Sequence, residues 1–212
     1  MVDSDTITVA ITGASGAQYG LRLVEQLVQA DRRIYVLISK AAQMVMALEM
    51  DLSMPSNAVK AEELLMQMTG ATKNQINVFG REDWTSPVAS GSGAPRQMVV
   101  CPCSTGTLSA VAAGACNNLI ERAADVVLKE RGQLIMVPRE TPLSTIHLQN
   151  MLTLSQMGVV ILPAMPGFYQ RPESVDDMVD FIVARILNQL GIKQQLLKPW
   201  GDSTPQSPIA DT

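Results

Sequence analysis

One rhythm constrains this chain more than any other feature. Short apolar runs alternate with segments of helical period, and several of the runs end in glycine, serine or threonine. Residues 7–12 form a β-branched run followed directly by Gly13. Residues 16–30 then set Leu21, Val24, Leu27 and Val28 on one face, the spacing of a helix packed on a core. A second apolar run at 34–38 and a helical segment at 40–50 complete a β-α-β unit. The rhythm resumes with a strand at 98–101, helices at 105–114 and 119–130, and a strand at 134–137. A helix at 144–156, a strand at 159–162 and a long helix at 174–190 close it. Strands that alternate with helices form a parallel sheet covered on both faces. The expected fold class is therefore α/β, a Rossmann-like three-layer sandwich. Its 212 residues suit one domain spanning 1–212. No internal repeat is visible, and the polar tail is expected to be flexible from about residue 201.

The stretch 51–97 is less regular. Residues 60–69 read as a helix, and 85–97 (TSPVASGSGAPRQ) as a loop that faces a ligand. In parallel sheets the ligand sits beyond the C-terminal strand ends. That rule gathers residues 12–15, Ser39, 102–107, 139–140 and 163–169 around one crevice.

Composition narrows the partners. Charged residues are 17% of the chain, against about 25% in an average domain. Either the core is large or other subunits cover part of the surface, and the second is preferred for a domain of this size. A net charge of -4 argues against non-specific nucleic-acid binding. Cys101 and Cys103 are too close to pair, Cys116 stands alone, and His147 is the single histidine, so no zinc set is expected. The cysteines read as small buried apolar residues in a reducing compartment. The first residues lack the pattern of a signal peptide, and no run of about 18 apolar residues occurs. A cytoplasmic protein is expected, with no membrane contact.

Two turns look ready for an anion. TGASGAQYG at 12–20 is neither GxGxxG nor a Walker loop. Its small residues Gly13, Ser15 and Gly16 still let N–H groups at a helix start approach a negative charge. The same turn also serves packing alone in many α/β proteins. Ser39-Lys40 lacks the acid that would hold a ribose in a dinucleotide fold, which argues against NAD. CPCSTGTLS at 101–109 repeats the strand–turn–helix pattern with Ser104, Thr105 and Thr107, either as a second cradle or as plain capping by Ser104.

These residues carry a family resemblance. TGASGAQYG at 12–20, SKAA at 39–42, CPCSTGTLS at 101–109, RAADVVLKER at 122–131, PRETPL at 138–143 and GFYQRP at 167–172 resemble the UbiX-type flavin prenyltransferases. The blocks stand in order from about residue 7 to residue 200. The resemblance implies a flavoprotein fold and a metal-independent transferase. The implied reaction joins a dimethylallyl group from dimethylallyl phosphate to N5 and C6 of reduced FMN. The product, prenylated FMN, would serve UbiD-type decarboxylases and, through them, ubiquinone biosynthesis. The implied assembly is a homo-dodecamer with sites at subunit interfaces.

Carried over by position, Gly13, Ala14, Ser15, Ser39, Ser104, Thr105, Gly106, Thr107 and Arg139 would hold FMN. Arg122, Lys129, Arg139, Tyr169 and Arg185, with Ser90 and Gly91 nearby, would hold the substrate phosphate. Ser15 would sit beside N5, Glu49 and Glu140 would assist proton transfers, and Trp84 would face the prenyl group. Gln170 stands where the family often has histidine, and Gly132-Gln133 departs from some relatives.

The chemistry suits these residue types. Phosphate release needs cations, and arginine offers a planar fork of donors. Arg122 and Lys129 lie two helical turns apart on one face, which also describes an ordinary solvated basic face. Positive character on the allyl group needs an aromatic face such as Trp84 or Tyr169, though a tryptophan also serves core packing. The C6 proton needs a base, either Glu140 or the released phosphate. DDMVD at 176–180 matches a magnesium-diphosphate pattern, yet it follows Ser174 and reads better as helix capping, so no metal is expected. The rival readings are an FMN-dependent cysteine decarboxylase and a non-catalytic FMN-binding protein. The first depends on a histidine in an early helix, whereas His147 stands late, at a helix start suited to packing.

Overall fold

The computed structural model describes residues 5–197, so the tail expected to be flexible lies outside the described residues. Among these residues six parallel strands form one sheet: β1 (Thr6–Ile11), β2 (Arg33–Ile38), β3 (Ile76–Phe79), β4 (Gln97–Cys103), β5 (Gln133–Pro138) and β6 (Val160–Ile161). Their order is β3-β2-β1-β4-β5-β6. The chain thus winds outward twice from β1, and the reversal of direction falls between β1 and β4. At such a switch point the strand ends leave a crevice.

Among the described residues, seven helices cover the sheet: α1 (Ala17–Gln29), α2 (Lys40–Met50), α3 (Ala58–Thr69), α4 (Thr105–Ala112), α5 (Leu119–Lys129), α6 (Thr145–Gln156) and α7 (Val175–Gln189). Every residue of β1 is buried, as expected for a central strand with helices on both faces. Ile7, Val9 and Ile11 point into a core shared with α1, α3 and α7. Ala10, Met98 and Val100 point into a second core with α4, α5 and α6. Each fully buried leucine or isoleucine contributes about 1.5–3 kcal/mol. The two cores are therefore what holds the crevice's strands in register. Gly20 lets α1 lie close to the sheet, because a Cβ there would stand 2.4 Å from the Cys101 carbonyl oxygen.

Two elements differ from the sequence expectation. β3 was not anticipated: it is a four-residue edge strand, INVF, too short to show a period. β4 runs past the expected end at residue 101, through Pro102 to Cys103. Pro102 donates no hydrogen bond, but its carbonyl still accepts from Thr12, and Cys103 pairs with Pro138 after a register shift. The 85–97 loop contains one short 3-10 turn, Pro87–Ala89.

Candidate active site

Two of the strand ends, those of β1 and β4, are tied together by one buried threonine. The Thr12 hydroxyl donates to the Pro102 carbonyl at 2.8 Å and accepts from the Ser104 N–H at 2.8 Å. Gly13, the next residue, lies against α2, where a Cβ would stand 2.4 Å from the Ala41 Cβ. The loops after β1, β2 and β4 therefore have one mutual spacing. Between them opens a cleft of about 480 Å³, lined on its polar side by Gly13, Ser39, Ser104, Gly106 and Thr107. Leu37, Met44, Phe79 and Ile120 form its apolar wall.

Two helices present their N-termini to this cleft. Ser39 caps α2 by accepting from the Ala42 N–H at 3.0 Å, and Ser104 caps α4 by accepting from the Thr107 N–H at 3.3 Å. Each cap satisfies one donor. The first N–H groups of each helix, those of Lys40 and Ala41 and of Thr105 and Gly106, have no intrahelical acceptor. They carry the positive end of the helix dipole. A Cβ on Gly106 would meet nothing within 4 Å, so the approach to these donors is open. Such a donor set fits a phosphate and a polyol chain, and the apolar wall fits a flat ring system. FMN has all three parts.

A second hollow continues from the same loop. It is lined by Ser15, Gly16, Tyr19, Glu49 and Arg139. The Ser15–Gly16 peptide is held at both ends: Arg139 Nε donates to the Ser15 carbonyl at 3.2 Å, and the Gly16 N–H donates to Glu49 Oε2 at 2.8 Å. Gly16 has φ +96, a conformation open to glycine, and its Cα faces the Tyr19 ring. Burial raises the Tyr19 phenol above its ordinary pKa, and the nearby Cys101 adds to that, while Arg139 opposes it. Glu140 is half-buried, and its carboxylate accepts from the Thr141 N–H at 3.0 Å. Ala14 is buried beside Ser15.

The residues expected to hold the substrate phosphate lie in three places within one chain. Arg139 is in the second hollow. Ser90, Gly91, Arg122 and Lys129 form a group where α5 meets the 85–97 loop. There Arg122 Nε donates to the Ala89 carbonyl at 3.1 Å, and the Gly91 Cα faces Lys129 Nζ. Arg122 also pairs with Asp125 at 2.9 Å. Tyr169 packs edge-on against Phe181 at 5.6 Å, and Arg185 follows one turn later on α7. Trp84, on the loop after β3, is half exposed.

Three other expectations are answered. In DDMVD, Asp177 accepts from the N–H groups of Glu173 and Ser174 in a capping box, and Asp180 holds Arg22 through Nε at 2.7 Å. The backbone hydrogen bond from Glu173, then those from Ser174, keep the Asp177 carboxyl below its ordinary pKa. His147 is a capping residue of α6, with Nδ1 accepting from the Ser144 N–H at 3.2 Å, where packing had been expected. Short Ser/His spacing at a helix start carried that signal. Cys101 and Cys103 are buried as expected, but Cys116 is exposed because it lies in the turn between α4 and α5. Thr12 was gathered into the crevice from the sequence without its tie to β4, and Tyr19 escaped the sequence reading. A polar residue ending a buried strand marks Thr12, while nothing local marks Tyr19.

The chain matches the Flavoprotein family over residues 1–187. It is 62% identical over 202 residues to the flavin prenyltransferase UbiX of Pseudomonas aeruginosa, covering 95% of this chain and 97% of the relative. The chain belongs to the UbiX flavin prenyltransferase family. Solved structures of this family share its fold. AnUbiX (PadA1), solved in complex with FMN and dimethylallyl pyrophosphate, superposes with a TM-score of 0.83 at 36% identity, over 95% of this chain and all (100%) of that one. A dodecameric FMN-dependent UbiX-like decarboxylase from Escherichia coli O157:H7 gives 0.81 at 39% identity, over 92% and 98%. The α/β flavoprotein fold expected from the sequence is thus the fold of the family.

Proposed function

We propose that the chain is a flavin prenyltransferase that moves a dimethylallyl group from dimethylallyl phosphate to N5 and C6 of reduced FMN. The observation that carries this reading is that one loop, residues 13–16, borders both hollows. Gly13 lines the cleft with the two helix N-termini, and Ser15 and Gly16 line the corner where Arg139 and Glu49 grip the peptide between them. Gly13, Ala14, Ser39, Ser104, Thr105, Gly106 and Thr107 hold the polar part of FMN, and Ser15 and Arg139 border its ring. Reduced FMN supplies the nucleophilic N5 and C6.

The protein's share is binding, charge and proton handling. Arg122, Lys129, Arg139, Arg185 and Tyr169, with the Ser90–Gly91 backbone, take the phosphate as the allylic C–O bond lengthens. Trp84 and Tyr169 shield the positive character left on the allyl group. Glu140 or the released phosphate accepts the C6 proton, and Glu49 holds the Ser15 turn while assisting transfer. With Asp177 and Asp180 engaged in a cap and an ion pair, no metal step is assigned.

One chain leaves these groups apart, so the site is completed between subunits of a homo-oligomer, a dodecamer as in the E. coli relative. Exposed Met44 and Leu48 on α2, and Ile146, Leu148 and Leu152 on α6, support burial against other copies. The whole chain, 1–212, works as a single flavin-binding domain in the cytoplasm and passes prenylated FMN to a UbiD-type decarboxylase. Among the described residues, no helix is long and apolar enough to cross a membrane.

Of the rivals, cysteine decarboxylation lacks its early histidine, since His147 is committed to a helix cap. A passive FMN binder has no use for a second phosphate clamp. The test is anaerobic incubation of the protein with reduced FMN and dimethylallyl phosphate, without added magnesium, followed by mass analysis of the flavin. Gain of one five-carbon prenyl unit is expected. Unchanged flavin with this donor and with the diphosphate would refute the assignment.

A further inference from the structure

The Lys129–Gly91 corner already contains an anion, and it belongs to the chain. Glu130 Oε1 lies 2.5 Å from Lys129 Nζ. A Cβ on Gly91 would fall 2.1 Å from the same Oε1 and 2.8 Å from Lys129 Nζ. The carboxylate therefore occupies the space above Gly91 that only a residue without a side chain leaves open. The hydrogen bond and charge of Lys129, with a smaller share from Arg96, hold the Glu130 carboxyl below its ordinary pKa. This is the corner to which the proposed function assigns a substrate phosphate oxygen. Two anions compete for one ammonium, and they cannot both fill one Cβ-sized space.

We propose that Glu130 is an internal competitor for the substrate phosphate, a specificity-determining residue that must leave Gly91 and Lys129 before the donor binds. The proposal rests on the prenyltransferase reading. A monoanionic carboxylate is displaced by a phosphate dianion, which draws more strongly on the same cations. Weaker anions such as carboxylates are held out. The pair is partly exposed, at 45% for Lys129 and 39% for Glu130. Exposed pairs are weak, so the competition corresponds to about a two- to fivefold effect on affinity.

The test uses the FMN-loaded protein and its Glu130→Gln variant. Calorimetric titration with dimethylallyl phosphate gives Kd, and anaerobic turnover gives KM and kcat. The expected result is a Kd and KM lower by about two- to fivefold with kcat unchanged, the difference shrinking at high salt. Sodium acetate should inhibit the variant more than the parent. A higher KM in the variant would mean that Glu130 orients Lys129, and would overturn the proposal, as would an unchanged KM and Kd. Gly91→Ala gives a second reading: its Cβ fills the space for which carboxylate and phosphate compete, so donor affinity should fall and Glu130→Gln should restore none of it in that background. If the parent itself binds no donor, the proposed function falls and this inference with it.

Discussion

Replacing Gly13 by alanine should separate the two loops that form the cleft. The new Cβ would stand 2.4 Å from the Ala41 Cβ and 3.4 Å from the Ala41 C and Cα atoms. Carbon atoms pack at about 3.5–4.0 Å, so the loops must part by roughly 1 Å or more. The neighbour is a methyl fixed to the first turn of α2, which no rotamer can move. Overpacking of this kind costs about 1–3 kcal/mol. Reduced freedom of the unfolded chain returns about 0.4–1 kcal/mol, so the clash dominates. The shift also carries Ser39 and the free N–H groups of α2 away from those of α4. FMN affinity should fall about tenfold, a loss of about 1.4 kcal/mol. Urea unfolding and flavin fluorescence titration measure the two effects. Ala41→Gly in the same chain removes the closest contact, and the cycle should show coupling of about 0.5–3 kcal/mol with recovery of FMN binding. Additive changes, or full FMN affinity in Gly13→Ala alone, would refute the spacing argument.

Other outcomes follow from the same geometry. Thr12→Val keeps the shape and the backbone N–H bond to the Pro102 carbonyl but leaves the Ser104 N–H without its acceptor, and should cost about 1–3 kcal/mol in urea unfolding. Native thiol labelling should reach one cysteine, Cys116, with Cys101 and Cys103 reacting only after unfolding. Burial raises both buried thiols above the ordinary value, so the folded state keeps protons that the unfolded state releases. The thiols' contribution to stability should therefore be constant below about pH 8.5 and fall as pH rises beyond it, with a shallower alkaline fall in Cys101→Ala/Cys103→Ala. Chelator-treated protein should transfer the prenyl group at the untreated rate. Loss of activity restored by magnesium would return DDMVD to a metal role.

What the sequence made legible was whatever has a period or a local chemistry. β1, β2 and β5 are mostly apolar runs because helices cover both faces, and α1 shows its stripe because one side meets the core. The caps Ser104 and Ser174 act within four residues, so they too could be read. β3 escaped because an edge strand of four residues has no room for a pattern. The site was readable as loops at strand ends and unreadable as contacts. Nothing near Thr12 in sequence says that its hydroxyl reaches Pro102 and Ser104, ninety positions away.

The scattering of the phosphate residues has an electrostatic logic under the proposed function. Four cations crowded into one empty pocket would repel one another in every unliganded chain. Here Arg122 has Asp125, Lys129 has Glu130, and Arg139 has the Ser15 carbonyl. Three of the four are thus engaged before any phosphate arrives, and the four stand in separate places, so a lone chain folds without the repulsion. Bringing the three places together between subunits removes water from Trp84 and Tyr169, both exposed in one chain. In that drier space the same cations act more strongly on a phosphate than they can on a lone chain's surface. Assembly, on this argument, is what converts ordinary surface ion pairs into a site able to hold a leaving phosphate.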